Sequence, residues 1–362
     1  MKKIICSPGS YIQGSSEIKN LAEYYAQLGS KGAYLIVDKF IDKLYHSEIV
    51  SSFIKAEIPF SLNDFGGECS HTEIDQHRRN LGSADVVIGI GGGKTLDTAK
   101  SVAFYSHLPM IIVPTAASTD APCSRLAVIY KDTHEFEEYL PLTANPDMVI
   151  MDTKIIANAP VRFLMAGIGD AFATYYEAAA CEKSNAVTMT GGHVTKAAMA
   201  LAKLCRDTIV AEGLKAKASV ENKVATQALE DVVEANTYLS GVGFESGGLA
   251  AAHAIHNGLT VLEETHDLLH GEKVAFGTIT QLVLENRPMN EIVEAIQFCR
   301  ACGLPVSLED LNLDQVSAEK LMEAAKASCA ENDTMGNMPF EVKPEDVYAA
   351  MKTADTISRT IA

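Results

Sequence analysis

The sequence lacks several features of secreted, membrane-bound and nucleic-acid-binding proteins. Basic residues are scarce, since 30 Lys and Arg stand against 47 Asp and Glu, which gives a formal net charge of −17. Such an acidic surface repels phosphate backbones and anionic headgroups, and we expect neither nucleic acid nor a membrane as a partner. Only Ile4, Ile5 and Cys6 separate Lys3 from Ser7, which is too short for the apolar stretch of a secretory signal. We therefore expect a cytoplasmic protein.

No segment has the pattern of a transmembrane helix, and the cysteines do not form a disulfide pattern. The longest uncharged run, residues 101–119, contains two prolines and several hydroxyls, and we interpret it as a helix end, a buried strand and a loop. Eight cysteines in 362 residues are too few for a disulfide scaffold. Cys299 and Cys302 form the only C-x-x-C motif, and no second pair completes a zinc knuckle. We interpret them as two thiols at a helix end.

The composition is that of a large folded protein. Hydrophobic residues make up 47% and charged residues 21%, which excludes a disordered chain, a collagen and a coiled-coil rod. The length of 362 residues predicts two domains, or three. The chain contains no internal repeat and no low-complexity tract, so the organisation has to be inferred from the pattern of apolar residues.

That pattern changes near residue 160. Before it, short apolar runs bounded by Gly, Pro or Asp alternate with helical patterns, which predicts a mainly parallel sheet covered on both faces. The predicted strands are 33–37, 85–90, 110–113, 127–130 and 148–151, with helices at 16–28 and 95–105. The later predicted elements are helices at 161–181, 187–210, 220–238, 248–262 and 291–302. The predicted fold is an α/β N-terminal domain with a Rossmann-like parallel sheet (1–160) and an all-α C-terminal domain (161–362).

A glycine-rich turn joins a predicted strand to a predicted helix within residues 85–100. Three consecutive glycines, 91–93, let a backbone approach a phosphate, and the following helix offers N–H donors at its N-terminus. The spacing fits neither common phosphate motif, because one would need glycine at Ile88 and the other at Lys94. Asp38 follows another predicted strand, where an acidic residue can hold a ribose diol. A purely structural tight turn remains the alternative.

Four histidines cluster in the second half of the sequence. His253 and His256 form one pair and His266 and His270 the other, with spacings that place each pair on one helical face. Asp170 stands early in an otherwise apolar helix, where a lone charge is costly unless it is paired or metal-bound. One Asp and two His from three helices make a ligand set with an open position, typical of catalytic zinc or iron. Two ordinary histidine pairs and a capping Asp fit the spacing equally well.

Several long motifs, ordered along nearly the whole chain, give the sequence a specific resemblance to one family. They are GGGKTLDTAK (91–100), PTAASTDAPCS (114–124), GDA (169–171), GFESGGLAAAHAIHNG (243–258) and HGEKVAFG (270–277). With these motifs the sequence resembles the iron-containing (group III) alcohol dehydrogenases, and among them the members that oxidise glycerol. The resemblance implies a dehydroquinate synthase-like fold, in which a cleft separates a dinucleotide-binding domain from a helical metal-binding domain.

The resemblance also implies an activity and its site residues. The activity is the oxidation of glycerol, and of other 1,2-diols, with NAD⁺, and the product from glycerol is dihydroxyacetone. Asp170, His253 and His270 would bind the metal, Zn²⁺ or alternatively Fe²⁺, and together with Asp120 they would contact the polyol substrate. The implied NAD-binding residues are Asp38, Gly93, Lys94, Thr95, Leu96, Asp97, Thr115, Ala116, Ala117, Ser118, Ser124, Leu126 and Tyr130. The family further implies a homo-oligomer, with an octamer as one form.

Three residues near these motifs need separate interpretation. Many family members carry a further His four residues after the metal-binding Asp, where this sequence has Thr174, and the loss of one imidazole favours zinc over iron. Arg125 stands where a small residue is expected and could admit a phosphate at the cofactor site. His256 shares a helical face with His253 without being needed as a ligand. We predict that His256 and Asp120 are catalytic, with His256 as a proton relay, and a supporting hydrogen bond from His256 is the alternative.

Other activities compete with this prediction. A different dehydrogenase of the family would act on butanol, propanediol or glycerol 1-phosphate, and a lyase like dehydroquinate synthase would use NAD and zinc for a transient oxidation. Phosphorylated substrates require several basic residues, but the segments around Asp170, His253 and His270 contribute mainly Lys273. The glycine spacing excludes a P-loop hydrolase. A non-catalytic binding protein is disfavoured because it would not need the metal set, the glycine turn and the Asp120 loop together.

Overall fold

A six-stranded parallel sheet organises the first part of the chain in the computed structural model, which describes residues 1–361. The strands of the protein are β1 (Ser10–Gly14), β2 (Ala33–Val37), β3 (Phe60–Asp64), β4 (Val86–Gly91), β5 (Met110–Pro114), β6 (Leu126–Tyr130), β7 (Phe136–Pro141) and β8 (Met148–Asp152). The sheet has the order β1-β8-β5-β4-β2-β3, and every neighbouring pair in it is parallel. The strands β2, β4, β5 and β8 are buried along their whole length, as continuous apolar runs predict.

Helices cover both faces of this sheet. They are α1 (Leu21–Tyr25), α2 (Lys39–Lys55), α3 (His71–Asn80), α4 (Gly93–Ser106) and α5 (Thr153–Asn158). Alternate residues of a strand point to opposite faces, so Leu35 packs into one core with residues of α1 and α2. Its neighbours Tyr34 and Ile36 pack into a second core, together with residues of α3 and α4. The sheet is therefore covered on both sides, as the alternation of strands and helices predicts.

The direction of the chain reverses between β2 and β4. The connection from β2 leads to β3 at one edge, and the next connection returns to place β4 on the other side of β2. Ligands of open α/β sheets bind at the carboxyl ends of strands beside such a reversal. Asp38 directly follows β2, and the glycine turn directly follows β4. The topology thus brings two sequence features, about fifty residues apart, to the same point of the sheet edge.

All five predicted strands are present, but the structure corrects the pairing of one of them and adds three more. The run at 127–130 does form a strand, β6, but it pairs antiparallel with β7 in a separate hairpin and not with the parallel sheet. The strands β1, β3 and β7 were missed because they are only partly buried and carry polar residues, so no continuous apolar run marks them. The predicted helix at 16–28 is a short 3₁₀ turn followed by the five-residue α1.

The remainder of the described chain is helical. Its helices are α6 (Val161–Ser184), α7 (Lys196–Glu221), α8 (Gln227–Glu234), α9 (Ser240–Gly247), α10 (Ala251–Leu259), α11 (His270–Leu284), α12 (Met289–Cys302), α13 (Ala318–Ser328) and α14 (Pro344–Thr360). A π-helical turn, Ala235–Leu239, joins α8 to α9. Over residues 1–361, none of the helices combines the length and the apolarity needed to cross a membrane. The predicted combination of an α/β part and a helical part is confirmed.

Three of the predicted helices after residue 160 have different starts in the structure. The hydroxyl of Thr195 caps α7 and that of Thr226 caps α8, so both helices begin later than the apolar pattern suggested. Gly248 has φ +91°, which ends α9 and delays the start of α10.

The second hydrophobic core runs from the sheet into α6, where Leu164 and Ile168 join Val149. The domain boundary at residue 160 therefore stays a prediction.

The helices α6 and α11 cross in close contact. A Cβ atom at Gly271 would lie 1.8 Å from the carbonyl oxygen of Ala166, and one at Gly169 would lie 2.3 Å from the carbonyl oxygen of Gly271. Only glycine allows this approach, because a side chain at either position would collide with backbone. The crossing brings Asp170 on α6 beside His270, the first residue of α11.

Candidate active site

The carboxyl edge of the sheet at β2 and β4 carries a cavity suited to an anionic ligand. The cavity measures about 420 Å³, and its lining includes Asp38, Gly93, Lys94 and Thr95. No side chain within residues 1–361 caps the N-terminus of α4, so its first N–H groups remain available to a ligand. A Cβ atom at Gly93 would meet no atom within 4 Å, so the glycine leaves open space there. N–H donors, a helix dipole and open space together fit a phosphate group.

The buried carboxylate of Glu68 holds Lys94, which lines this cavity, and also contacts His134. Its Oε2 accepts a hydrogen bond from Lys94 Nζ at 2.6 Å and lies 2.6 Å from His134 Nδ1. The Lys94 ammonium also lies 4.9 Å from the ring centroid of Tyr130. Burial raises the pKa of Glu68, but Lys94 and His134 outweigh it, and the pKa is lowered. Glu68 was missed because no sequence motif contains it, and it fixes a lysine predicted to bind NAD.

Asp97, another predicted NAD-binding residue, is buried below the glycine turn. Its carboxylate accepts a hydrogen bond from the N–H of Val128 at 3.1 Å and lies 3.7 Å from Lys100 Nζ. Lys100 is fully buried and donates to the carbonyl oxygens of Ala121 and Leu126, at 2.7 and 3.0 Å. Burial raises the pKa of Asp97 and lowers that of Lys100. The pair ties α4 to the segment that follows Asp120.

The loop after β5 lies at the same edge of the sheet. Thr115 donates its N–H to the carbonyl oxygen of Gly91 at 3.0 Å, which joins this loop to the glycine turn. The carbonyl oxygen of Ala117 accepts a hydrogen bond from Asn236 Nδ2 at 3.1 Å, and Asn236 donates as well to Leu164 at 3.2 Å. Asn236 belongs to the π-helical turn and was missed by the sequence analysis. It connects the loop to the helical part of the molecule.

The thirteen predicted NAD-binding residues come from the end of β2, the start of α4, the loop after β5, the segment at Ser124 and the β6 strand. Leu96 and Ala117 are buried, Ala116 and Ser118 are partly exposed, and Leu126 and Tyr130 lie at the two ends of β6. Ser124 is buried, and its hydroxyl donates to the carbonyl oxygen of Ala121 at 2.8 Å. The fold thus gathers residues that are up to 92 positions apart in the sequence. Their contact with NAD stays a prediction.

Asp170, His253 and His270 converge from α6, α10 and α11. Asp170 Oδ1 lies 3.1 Å from His270 Nε2 and 3.3 Å from His253 Nε2, and the three possible ligand atoms lie within 4.8 Å of one another. Asp170 and His253 are buried, whereas His270 is partly exposed. Burial raises the pKa of Asp170, but the two imidazoles outweigh it and hold the pKa far below its usual range. A carboxylate and two imidazoles at these distances fit Zn²⁺ or Fe²⁺.

Asp120 connects the sheet edge to this cluster. Its backbone N–H donates to Asp170 Oδ2 at 3.2 Å, and its own Oδ2 accepts a hydrogen bond from Ser240 Oγ at 2.6 Å. Ser240 Oγ lies 2.7 Å from the hydroxyl of Thr174. Thr174, which stands where many family members have a histidine, therefore supports Ser240 and Asp120. Burial and the nearby charge of Asp170 raise the pKa of Asp120 well above its usual range.

His256 is buried next to His270. The two ring centroids lie 4.1 Å apart, and His256 Nδ1 lies 3.0 Å from Asn257 Oδ1. Burial, together with the neighbouring imidazole of His270, lowers the pKa of His256 well below its usual range. The position is compatible both with a proton relay and with a supporting hydrogen bond, so its role stays a prediction. His266 lies outside the cluster, and its Nε2 contacts the carbonyl oxygen of Thr260 at 3.0 Å.

Glu177 is a further buried residue of the site that the sequence analysis missed. Its Oε2 lies 2.6 Å from His253 Nδ1, and its Oε1 accepts hydrogen bonds from the N–H groups of Ala250 and His253. A signal existed in the sequence, because Glu177 follows Asp170 by seven residues in an apolar helix. That spacing, two helical turns, places both carboxylates on one face of α6.

Arg125, which departs from the family pattern, is engaged within the protein. Its Nε lies 3.3 Å from Oε1 of the buried Glu245, and its backbone N–H donates to the same oxygen at 3.2 Å. The arginine therefore links the segment after Asp120 to α9. Cys299 and Cys302 are buried and unlinked at the end of α12. Burial raises the pKa of Cys302 to about 11, as befits an unreactive thiol.

Comparison with known proteins assigns the chain to the alcohol oxidoreductases. The chain belongs to the iron-containing alcohol dehydrogenase family, whose sequence model matches residues 8–153. It is 52% identical over 361 residues to the glycerol dehydrogenase of Citrobacter freundii, with 99% of each chain covered. It is 43% identical over 363 residues to the glycolaldehyde reductase of Halobacterium salinarum, with 100% of this chain and 99% of that protein covered.

A solved structure agrees with this assignment. The crystal structure of glycerol dehydrogenase from Schizosaccharomyces pombe superposes with a TM-score of 0.95 at 39% identity. The superposition covers 99% of this chain and 92% of that one. The resemblance inferred from the sequence motifs is therefore confirmed, both for the family and for the fold.

Proposed function

We propose that the protein is a metal- and NAD-dependent dehydrogenase that oxidises glycerol, and other 1,2-diols, and converts glycerol to dihydroxyacetone. One contact carries the proposal: the Asp120 N–H donates to Asp170 at 3.2 Å. Asp120 follows the loop at the carboxyl edge of the sheet, and Asp170 belongs to the cluster of possible metal ligands. A substrate bound at this junction would lie beside both a dinucleotide at the sheet edge and a metal at the cluster. The names of the relatives supply the choice of glycerol.

The residues of the chain have separate tasks in this reaction. When bound, a divalent metal supplies Lewis acidity toward hydroxyl oxygens, and NAD⁺ supplies the hydride acceptor. Asp170, His253 and His270 would hold the metal, and Asp120, oriented by Ser240, would position the diol. His256 would accept the proton released from the hydroxyl. A 1,2-diol offers two neighbouring oxygens to such a site, whereas a simple alcohol offers one, and this favours polyols.

The nucleotide would lie along the carboxyl edge of the sheet. The N–H groups that begin α4 at Gly93 would bind the pyrophosphate, and Asp38 at the end of β2 would accept hydrogen bonds from the ribose. Since a carboxylate there repels a 2′-phosphate, we propose NAD over NADP. The engagement of Arg125 by Glu245 supports this choice, because the guanidinium is already paired. A cytoplasmic location and a homo-oligomeric state stay predictions.

The first experiment follows absorbance at 340 nm with glycerol and NAD⁺ at alkaline pH. Protein stripped by a chelator is compared with protein refilled with Zn²⁺ or Fe²⁺, and with an Asp170→Asn variant. We expect NADH only after metal is returned and little or none from the variant. Turnover with butanol or a phosphorylated polyol, but none with glycerol, would keep the class of enzyme and refute the proposed substrate.

Reduction of glycolaldehyde is a second candidate, because a relative of that name is 43% identical over the whole chain. The same site would transfer hydride in the opposite direction, from NADH to the aldehyde carbon of glycolaldehyde. The loss of NADH absorbance with glycolaldehyde, compared with dihydroxyacetone, tests it. A kcat/KM larger for glycolaldehyde than for dihydroxyacetone would identify aldehyde reduction as the main activity of the protein.

A further inference from the structure

Glu177 uses its two carboxylate oxygens for two different purposes. Oε2 lies 2.6 Å from His253 Nδ1, and Oε1 accepts hydrogen bonds from the N–H groups of Ala250 and His253, at 2.8 and 2.9 Å. The residue is fully buried in α6, two turns after Asp170. A buried carboxylate with three donors around it is fixed in one orientation, because every alternative leaves a polar group unpaired.

The first purpose is to cap α10. The residue at the N-cap position is Ala250, whose side chain has no acceptor for the N–H groups that begin the helix. Glu177 Oε1 accepts the N–H of His253 from α6, and Gln281 Oε1 accepts the N–H of Ala252 from α11 at 2.9 Å. Side chains of two neighbouring helices thus replace the missing cap and hold the start of α10 in place.

The second purpose concerns the imidazole of His253. An ionised carboxylate can only accept a hydrogen bond, so the imidazole hydrogen lies on Nδ1, and Nε2 of the neutral ring keeps its lone pair. Nε2 is the atom that faces Asp170 Oδ1 at 3.3 Å, within the cluster of possible ligands. We propose that Glu177 is a positioning residue, which holds His253 in the tautomer and ring orientation that can bind a metal through Nε2. This inference rests on the proposed function, in which a metal binds there.

Glu177→Gln tests the tautomer while it preserves the cap. The glutamine oxygen should still accept the hydrogen bonds from the N–H groups of Ala250 and His253, because the amide NH₂ in that position would face two donors. The NH₂ then points to His253 Nδ1 and donates to it, so the imidazole hydrogen moves to Nε2, where it blocks metal binding. We expect the affinity for Zn²⁺, measured by competition with a chromogenic chelator, to fall about 10- to 100-fold. The metal-free variant should unfold at nearly the wild-type temperature.

Gln281→Met is the matched control. It removes one hydrogen bond from the start of α10 and a second from Gln281 Nε2 to Glu285 Oε1, and it breaks no hydrogen bond of the His253 imidazole. If capping were the whole role of Glu177, this control would lose zinc affinity and Glu177→Gln would not. We expect the opposite: a lower unfolding temperature for metal-free Gln281→Met, with zinc affinity within about threefold of wild type.

Glu177→Asp supplies a second measurement, which also serves if Glu177→Gln does not fold. It keeps a carboxylate on a shorter side chain, so it disturbs packing more than glutamine does but does not donate to Nδ1. We expect the zinc affinities to rank wild type, then Asp, then Gln. Equal affinities in wild type and both variants, or a ranking with Gln above Asp, would overturn the inference. Wild-type protein that binds neither Zn²⁺ nor Fe²⁺ would refute the metal site itself, whereas wild-type protein that binds zinc no better than Glu177→Gln would refute only the role of Glu177.

Discussion

At the residue scale, hydrogen bonds between helices hold the reactive side chains. Asp120 accepts from Ser240 at 2.6 Å, and Ser240 lies 2.7 Å from the hydroxyl of Thr174. All three residues are buried, so water does not replace a partner that is removed. Removal of the Ser240 or the Thr174 hydroxyl should therefore change the orientation of Asp120 more than it changes the surface of the protein.

Ser240→Ala should reduce activity through Asp120. The variant leaves a buried oxygen of Asp120 without its donor, which costs about 1–3 kcal/mol, so we expect kcat/KM for glycerol to fall about 5- to 100-fold. Steady-state kinetics measure this, with the KM for NAD⁺ expected to stay near wild type. Thr174→Val, which keeps the bond between Ser240 and Asp120, should lose less. Equal losses of kcat/KM in the two variants would contradict the proposal that Ser240 acts on Asp120 directly and Thr174 only through Ser240.

A second residue-scale prediction concerns His77, which lies in α3 away from the site. It is buried, with Nδ1 at 2.9 Å from the Tyr34 hydroxyl and Nε2 at 3.0 Å from Glu73. Burial lowers the pKa of His77, although Glu73 opposes the shift. Below the unfolded pKa of about 6.5 the unfolded chain takes up a proton that the folded chain resists, so unfolding becomes easier as pH falls.

The contribution of His77 to stability should therefore be complete above about pH 7 and decline through pH 6 and 5. His77→Gln keeps a polar side chain but does not titrate, so its unfolding free energy should change less between pH 7 and pH 5 than that of wild type. Denaturant unfolding at several pH values measures the difference. Parallel curves for the two proteins would show that His77 is not responsible.

At the element scale, the active site depends on how closely α6 and α11 approach. Gly169 and Gly271 line the contact between these two helices, and Gly167 lines the contact of α6 with the loop after β5, where a Cβ atom would lie 1.9 Å from the carbonyl oxygen of Ala117. The same contacts place Asp170 beside His270 and beside the loop that precedes Asp120. Backbone packing, and not side-chain flexibility, therefore sets the distance between the possible metal ligands.

Gly271→Ala and Gly93→Ala should separate packing from binding. The first adds a methyl group 1.8 Å from a backbone oxygen, so we expect a loss of about 3 kcal/mol or more of unfolding free energy and weaker zinc binding. The second meets no atom within 4 Å, so it should keep its stability and raise the Kd for NAD⁺ by filling the cradle. Denaturant unfolding and NAD⁺ titration measure the two effects. Unchanged NAD⁺ binding in Gly93→Ala would place the pyrophosphate elsewhere.

At the scale of the whole molecule, the site joins parts of the chain that are far apart in sequence. Its possible metal ligands come from α6, α10 and α11, and Arg125 and Glu245 link the sheet edge to α9. A ligand that binds only the folded chain stabilises all of these contacts at once. The proposed metal should therefore act on global stability as well as on catalysis.

Removal of metal should lower the unfolding temperature of the whole protein. With Zn²⁺ at about 100 times its Kd, binding contributes about 2.7 kcal/mol to the free energy of unfolding. Thermal scans of chelator-treated protein, with and without added Zn²⁺, measure the shift. His270→Ala should fold, since His270 is the partly exposed member of the three, yet show little zinc-dependent shift. A full zinc-dependent shift of the unfolding temperature in His270→Ala would show that other residues bind the zinc.

The sequence predicted most of the buried framework and many of the site positions. Continuous apolar runs marked β2, β4, β5 and β8, because burial on both faces leaves no polar alternation. The glycine turn was visible because three consecutive glycines stand between an apolar run and a helical pattern, although only Gly91 lacks room for a side chain, since a Cβ atom there would lie 2.8 Å from Thr95 Oγ1. Partly polar strands such as β1 and β3 escaped detection, because a local pattern reports burial and these strands are only partly buried.

The sequence by itself determined the family, the order of the strands and helices around the glycine turn, and the candidates Asp170, His253 and His270. Only the tertiary structure decided that β6 pairs with β7, that His266 lies outside the cluster, and that Glu68, Glu177 and Ser240 hold the side chains of the site. The physical reason is the distance along the sequence between the residues that meet. Periodicity and turn residues report contacts within a few positions, whereas Glu177 meets His253 across 76 residues through the packing of α6 against α10.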